Sequence, residues 1–368
     1  NTEIYTLSLH DALPILKSFR ILDASIPQEH ADWVELWSSW PEHEVSAHPD
    51  YVRLFAGPYA RSLCAILKSP QGSVIFPFIL RPLHIEKWVE SDTEAWDLVT
   101  PYGYGGAFSW GVPDADLFWS EFNKWVKAVG VVSAFLRFSL FSEQLLPFDG
   151  EVEIKSRNIV RMLDLDADAL WMDYDHKVRK NVKKALRNGL EVEIDPDGSH
   201  LKEFLEVYYS TMDRRGATEQ YYFPDVFFNT IVRDLLGEFV FFHVFYGSKI
   251  VSTELVLSST NYLYSFLGGT LLEAYDLRPN DLLKHSVIEW GRDQGKKAFV
   301  LGGGYEDGDG IFRYKLSFAP NGTVPFKVGK RIYDPDTYER LIQRRLKWEI
   351  GQGLDWRPNL DFFPAYRS

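Results

Sequence analysis

Apolar runs separated by glycine, proline and small polar residues lay the chain out as alternating strands and helices. SLCAILK (62–68) and VIFPFILR (74–81) read as strands joined by a PQG turn. AWDLVT then leads into PYGYGGAF, a rigid loop of aromatics and glycines. Asp114 is placed to cap a helix reaching about Val129, because Leu117, Phe118, Phe122, Trp125 and Val126 recur at helical spacing. VVSAFLRFSL (131–140) follows as a buried strand.

The second half repeats the alternation. RNIVRMLDL (157–165) reads as a strand, and Asp175 opens a helix that Gly189 stops. LEVEI alternates like a strand with two different faces. Ser199 is the expected cap of a helix to Met212, and Pro224 starts another to about Leu236. The segment 238–269 predicts three antiparallel strands, turning at Gly247-Ser248 and at Ser258 to Asn261. A helix (281–294), the strand AFVLG and a last helix from Pro335 to Ile350 complete the pattern. The predicted fold class is α+β, with mixed α/β content. Two tandem units are expected, each a mostly antiparallel sheet flanked by helices. The divisions fall at 17–156 and 157–334, with a C-terminal helix and tail over 335–368. No sequence period links the halves, so the duplication rests on the order of elements alone.

Composition narrows the class. The 368 residues suit two ordinary domains, and 45% hydrophobic with 25% charged residues is normal for a globular chain. No apolar run approaches the roughly 18 residues of a membrane span. Twelve Trp, 19 Tyr and 26 Phe fit either an aromatic core or a cleft for a bulky or carbohydrate-bearing ligand. A single cysteine, Cys64, excludes an internal disulfide and points to a cytoplasmic setting. It lies in an apolar run as a small buried hydrophobe rather than a nucleophile. A net charge of −12 argues against general nucleic-acid binding and against DNA as a partner, but leaves room for a local basic patch. The opening NTEIYTLSLHDALPI lacks the charged start and apolar core of a signal peptide and is similar to translated sequencing-adapter strings. Residues 1–16 are therefore expected to be foreign or disordered.

Against the acidic background one helix is strongly basic. HKVRKNVKKALRNG carries Lys177, Arg179, Lys180, Lys183, Lys184 and Arg187, with Val178 and Val182 in its buried stripe. Such a face either stays solvated or takes a polyanion such as a pyrophosphate or an RNA acceptor stem, with Arg179 and Lys183 as candidate contacts. In SFLGGT…RPNDLLKHSV, Gly268 and Gly269 permit close approach of a backbone or ligand. Asn280 or Asp281 is placed to cap the following helix, whose free N–H groups attract anions. LGGGYEDGDGIFRYK has neither P-loop nor dinucleotide spacing. Asp307 and Asp309 lack the downstream glutamate of a calcium loop, so no metal is expected. Lys315, held among aromatics in FRYK, is a candidate to stabilise an oxyanion. There is no GxSxG elbow and no HExxH, and His176, His243 and His285 stand apart as structural residues.

LGGT…LLKHSVIEWGRDQG…LGGG…DGIFRYKLSF resembles the C-terminal half of the Fem-type peptidoglycan bridge-forming aminoacyltransferases. It is similar also to the BioF-like acyltransferases, and both belong to the GNAT superfamily. HKVRKNVKKALRNGLEV, PYGYGGAF and FLRFSL match further landmarks in the expected order, so the resemblance spans about residues 20 to 340. It implies two GNAT folds and direct acyl transfer to an amine without metal or permanently bound cofactor. The co-substrate is an aminoacyl-tRNA or an acyl-CoA, and the acceptor a small amine or an amine on a cell-wall precursor. Phe312 and Lys315 fall at the donor end by this resemblance. Tyr102, Gly103 and Tyr104 fall on the aromatic loop facing the cleft, and Arg137 on the first-domain landmark. Arg137 is followed by Phe138 and Ser139, where many relatives carry an acid. The coiled-coil insertion that some members use for tRNA is missing, as is the RxxGxG/A signature of acetyl-CoA binding. The reaction needs a base, for which Glu254 and Asp281 are candidates. A non-catalytic binding module for cell-wall or polysaccharide precursors is the alternative, and the oligomeric state stays open.

Overall fold

Strands dominate wherever the sequence keeps β-branched and aromatic residues in unbroken runs, because these side chains pack well on a pleated surface. The computed structural model describes residues 18–90, 94–306 and 308–368. The segment 1–16 and Asp307, singled out above, lie outside the described residues.

In the first half, β1 (Ser18–Asp23) is followed by α1 (Pro27–Ser39) and α2 (Pro49–Phe55), each with proline in its first turn. The meander β2 (Arg61–Lys68), β3 (Gly72–Pro82) and β4 (Trp96–Val99) comes next, with β5 (Phe108–Gly111) alongside β3. Helix α3 (Ala115–Val129) starts where the Asp114 carboxylate accepts the Leu117 N–H at 3.0 Å and ends at Gly130, whose φ of 81° few other residues tolerate. β6 (Val131–Arg137) and β7 (Glu151–Met162) close this half.

Helices α4 (Ala167–Asp173) and α5 (His176–Arg187) lead into β8 (Leu190–Asp195), α6 (Leu201–Arg215) and α7 (Asp225–Asp234). The expected Ser199 cap does not form. The Asp195 carboxylate, at the end of β8, instead gathers the N–H groups of Gly198, Ser199 and His200 at 2.7, 3.1 and 2.9 Å. The predicted three-strand meander is β9 (Phe239–Tyr246), β10 (Lys249–Ser258) and β11 (Tyr262–Thr270). After it come α8 (Pro279–Asp293), β12 (Ala298–Gly302), α9 (Gly310–Leu316), β13 (Thr323–Ile332) and α10 (Pro335–Gly351).

Among the described residues the strands form one 13-stranded sheet, ordered β1-β2-β3-β4-β6-β13-β7-β12-β11-β10-β9-β8, with β5 off this path. The two ends mirror each other. A four-strand antiparallel run, β1 to β4 or β8 to β11, meets a parallel neighbour, β6 or β12. Two helices fill the first connection of each run, α1 and α2 or α6 and α7, and α3 or α8 makes the parallel crossover. At the centre the halves exchange strands. β7 pairs with β12, β13 pairs with β6, and β7 pairs with β13. The expected division at 156/157 thus falls inside β7. Helix α10 and the tail pack on the first half, where Leu341 and Tyr366 join Leu83 and Val132 in one buried cluster. None of the described helices is long and apolar enough to cross a membrane.

Candidate active site

The parallel pair β11 and β12 holds register only from Tyr262↔Ala298 to Tyr264↔Val300. Beyond this the strands part. Across β11 the ladder with β10 jumps from Val256↔Ser265 to Leu255↔Leu267, leaving Phe266 as the unpaired residue of a bulge. Two cavities meet at this opening. One, of about 350 Å³, lies between the halves and is lined by Tyr102, Gly103, Tyr104, Arg137, Asn158 and Tyr264 among others. The second, of about 290 Å³, follows the free part of β11 between α6, α8 and α9, past Glu254, Gly268, Gly269 and Lys284. Ser265, Phe266 and Lys315 line both.

Lys315 stands on α9, whose first turn is capped by Asp309 accepting the Phe312 N–H at 2.7 Å. Its Nζ donates to the Gly303 carbonyl at 2.7 Å. Burial, and then the nearby Lys284 ammonium, pull the Lys315 pKa down to about 8. Glu254, on β10, is 4% exposed and pairs with Lys284 while accepting the Ser265 hydroxyl. Lys284 donates in turn to Ser265 Oγ at 2.8 Å. A buried ion pair therefore holds the serine where the cavities meet.

Gly268 and Gly269 border the second cavity, but their close contacts are with protein. A Cβ on Gly268 would stand 2.5 Å from the Thr253 carbonyl oxygen, and one on Gly269 would stand 2.5 Å from Thr211 Oγ1 on α6. The cap expected from Asn280 or Asp281 is absent. Arg278, with φ 68°, holds the cap position and Pro279 the first helical one. Asn280 Oδ1 instead accepts the Ser252 and Thr270 hydroxyls at 3.0 and 2.6 Å. Asp281 is buried, bonded to the Asn181 amide at 3.1 Å, and lines neither cavity. Burial raises its pKa.

On the first-half side, Tyr51 donates its hydroxyl to the Tyr102 carbonyl at 2.9 Å and fixes the aromatic loop. The Tyr104 ring lies against Tyr264 at 5.5 Å and Phe326 at 5.7 Å. Arg137 spends one N–H on the Thr100 carbonyl at 3.3 Å, and no carboxylate pairs with it among the described residues. Phe312 does not face either cavity. It is a core residue, 4% exposed, with the Arg157 guanidinium over its ring. Arg179 and Lys183 lie outside the cleft as well, on the open face of α5. There Arg179 binds the Met172 and Tyr174 carbonyls and Lys183 rests over Trp171. The sequence reading passed over Lys284, Ser265, Phe266 and Asn158. Glu254, a lone acid in the apolar run VSTELVLS, was the available signal that a buried cation must stand opposite it.

Residues 174–316, from just before α5 to the end of α9, match the family described as an acetyltransferase (GNAT) domain. The matched segment lies wholly within the second half. UDP-N-acetylmuramoylpentapeptide-lysine N(6)-alanyltransferase from Weissella viridescens is 21% identical over 175 residues, which is 46% of this chain and 51% of that protein. The chain thus spans about half the length of this curated relative. The crystal structure of FemX superposes with a TM-score of 0.61 at 15% identity, over 84% of this chain and 98% of that one. The structure of L-PGS from Bacillus licheniformis does so with a TM-score of 0.52 at 12% identity, over 90% and 99%. These matches bear out the resemblance to Fem-type GNAT acyltransferases and the tandem GNAT-like fold.

Proposed function

We propose that this protein joins an activated acyl or aminoacyl group to an amine, with the donor in the β11 groove and the acceptor in the cavity between the halves. The observation that carries this is the meeting of two separate cavities at Ser265, Phe266 and Lys315. A binding module for precursors would need only the first of them. The amine nitrogen attacks the acyl carbonyl, the N–C bond forms, and the ester or thioester bond to the carrier breaks. Holding both partners at one point supplies much of the acceleration. On this reading the Lys315 ammonium, which lines both cavities, stabilises the carbonyl oxygen as it gains charge.

Two features favour an aminoacyl ester over acyl-CoA as donor. Pro279 removes an N–H from the start of α8, and Asp281 adds a buried acid to its first turn, so that helix end makes a poor pyrophosphate cradle. The open basic face of α5 is tied to α8 through Asn181 and Asp281, which suits the RNA body of an aminoacyl-tRNA. Arg179 and Lys183 would then touch its backbone rather than the reacting end. The acceptor cavity has Arg137 and Lys315 but no acid among its lining residues, which suits an anionic acceptor such as a cell-wall precursor amine. We place the reaction in the cytoplasm, where such donors occur.

The test supplies alanyl-tRNA or acetyl-CoA with UDP-N-acetylmuramoyl-pentapeptide and follows amide formation. Transfer from alanyl-tRNA that ribonuclease abolishes is expected. Lys315→Ala should lower turnover about 100- to 1,000-fold, the scale of a lost oxyanion donor, with little change in melting temperature. Transfer from neither donor, or full turnover in Lys315→Ala, overturns the reading.

A further inference from the structure

The attacking amine must shed a proton, yet no aspartate or glutamate lines the acceptor cavity. Two carboxylates lie one hydrogen bond behind its wall. Glu254 is reached through Ser265, but its ion pair with Lys284 would be broken by a proton, stranding a buried cation. Glu44, reached through Tyr264, differs. It is 1% exposed and comes from the other half of the molecule. The Tyr264 hydroxyl donates to its Oε2 at 2.7 Å. Its Oε1 has no hydrogen-bond partner among the described residues, with the Gln144 amide and the Ser259 hydroxyl beside it. No cation forms an ion pair with it among the described residues. Lys296, the cation that faces it, is bound to the Ser259 and Thr260 carbonyls. A buried carboxyl without a counter-ion is better neutral, so gaining a proton relieves this site where it would damage the other.

We propose that Glu44, acting through the Tyr264 hydroxyl, takes up the proton of the attacking amine; this rests on the acyl-transfer reading above. As the N–C bond forms, an amine proton passes to Tyr264 Oη while the tyrosine's own proton passes to Glu44 Oε2. When the bond to the carrier breaks, the leaving oxygen departs with its electron pair. The Glu44 proton then returns through Tyr264 to that oxygen, and the balance is amine plus ester giving amide plus alcohol. Tyr264 carries no lasting negative charge, since burial and the Glu44 carboxylate hold its pKa far above the ordinary tyrosine range. Burial lifts the Glu44 pKa to about 7, against lowering by Ser259, Tyr264 and Gln144 and a small further rise from Glu42. Tyr262 and Lys296 are the other titratable groups that face it. Glu44 thus becomes a competent base near neutral pH.

The experiment measures the pH dependence of alanine transfer from alanyl-tRNA to UDP-N-acetylmuramoyl-pentapeptide by the full chain. The wild type should gain rate through an apparent pKa near 7. Glu44→Gln keeps the shape and the acceptor oxygen for Tyr264, and should lose both that rise and about 100-fold or more in kcat with KM little changed. Tyr264→Phe keeps the ring and should fall comparably, which covers the case of a poorly folding Glu44→Gln. A folded Glu44→Gln with wild-type rate and pH profile, or a Tyr264→Phe with full rate, overturns the relay while leaving acyl transfer intact. An inactive wild type sinks the acyl-transfer reading and the relay with it.

Discussion

In the proposed mechanism, Lys315 and Glu44 set opposite limits on the pH range of the reaction. The lysine must be an ammonium to neutralise the developing oxyanion, and with a pKa of about 8 it loses that charge as the solution turns mildly alkaline. The glutamate must be a carboxylate to accept a proton, and with a pKa of about 7 it gains that state only as acid is removed. Rate should therefore rise through the lower value, fall through the upper one and trace a narrow bell between them. Lys315→Arg keeps its charge at every accessible pH. It should lose the alkaline fall while keeping the acid rise, whatever its absolute rate. A wild-type profile flat from pH 6 to 9 would remove both residues from the chemistry. Of the pair, only the lysine was legible in the sequence, because FRYK sets a cation among aromatics within four residues. Glu44 meets Tyr264 across 220 positions of chain, and no local pattern carries that contact.

Among the elements, β11 does most to shape the site. It serves as a ladder partner at its start, a bulge at Phe266 and a free edge beyond. The sequence announced a break there through Gly268 and Gly269, read as room for a ligand or backbone. The close approaches turn out to be those of β10 and α6. Gly269→Ala would press a methyl group against Thr211 Oγ1 at 2.5 Å and the Val207 carbonyl oxygen at 2.8 Å, both on α6. Overpacking of this kind costs about 1–3 kcal/mol, so the variant should unfold at lower denaturant concentration. An unchanged midpoint would mean that α6 gives way freely. Helix α3 was legible through the Asp114 carboxylate one residue ahead of it, whereas the short α4 and α9, capped in the same way by Asp166 and Asp309, were not. Helix α8 misled because its first residue is a proline and its expected caps are drawn inward by Ser252, Thr270 and Asn181.

At the scale of the whole molecule, the two halves are not separable in the way the order of elements suggests. The tandem order of meander and flanking helices was legible, because each piece has its own periodicity, but the parallel pairing of the strand that follows each crossover helix was not. Nor was the exchange of β7 and β13. β13 alternates charged and apolar residues around a proline, and nothing local distinguishes pairing with β6 from pairing with β12. Yet this exchange closes the sheet. Val328 to Ile332 pair with β6, and Thr323 to Lys330 pair with β7. A fragment ending at 156 would lose β13, the outer half of β7 and the packing of Leu341 and Tyr366 on Val132. It would expose the β6 edge as a template for pairing with other chains. Expressed alone, 17–156 should aggregate, whereas co-expression with 157–368 should return a soluble complex that chromatography resolves as one species. A monomeric, cooperatively folding 17–156 fragment would show that the exchanged strand is dispensable. The cleft would then be a seam between independent domains rather than a feature built into one sheet.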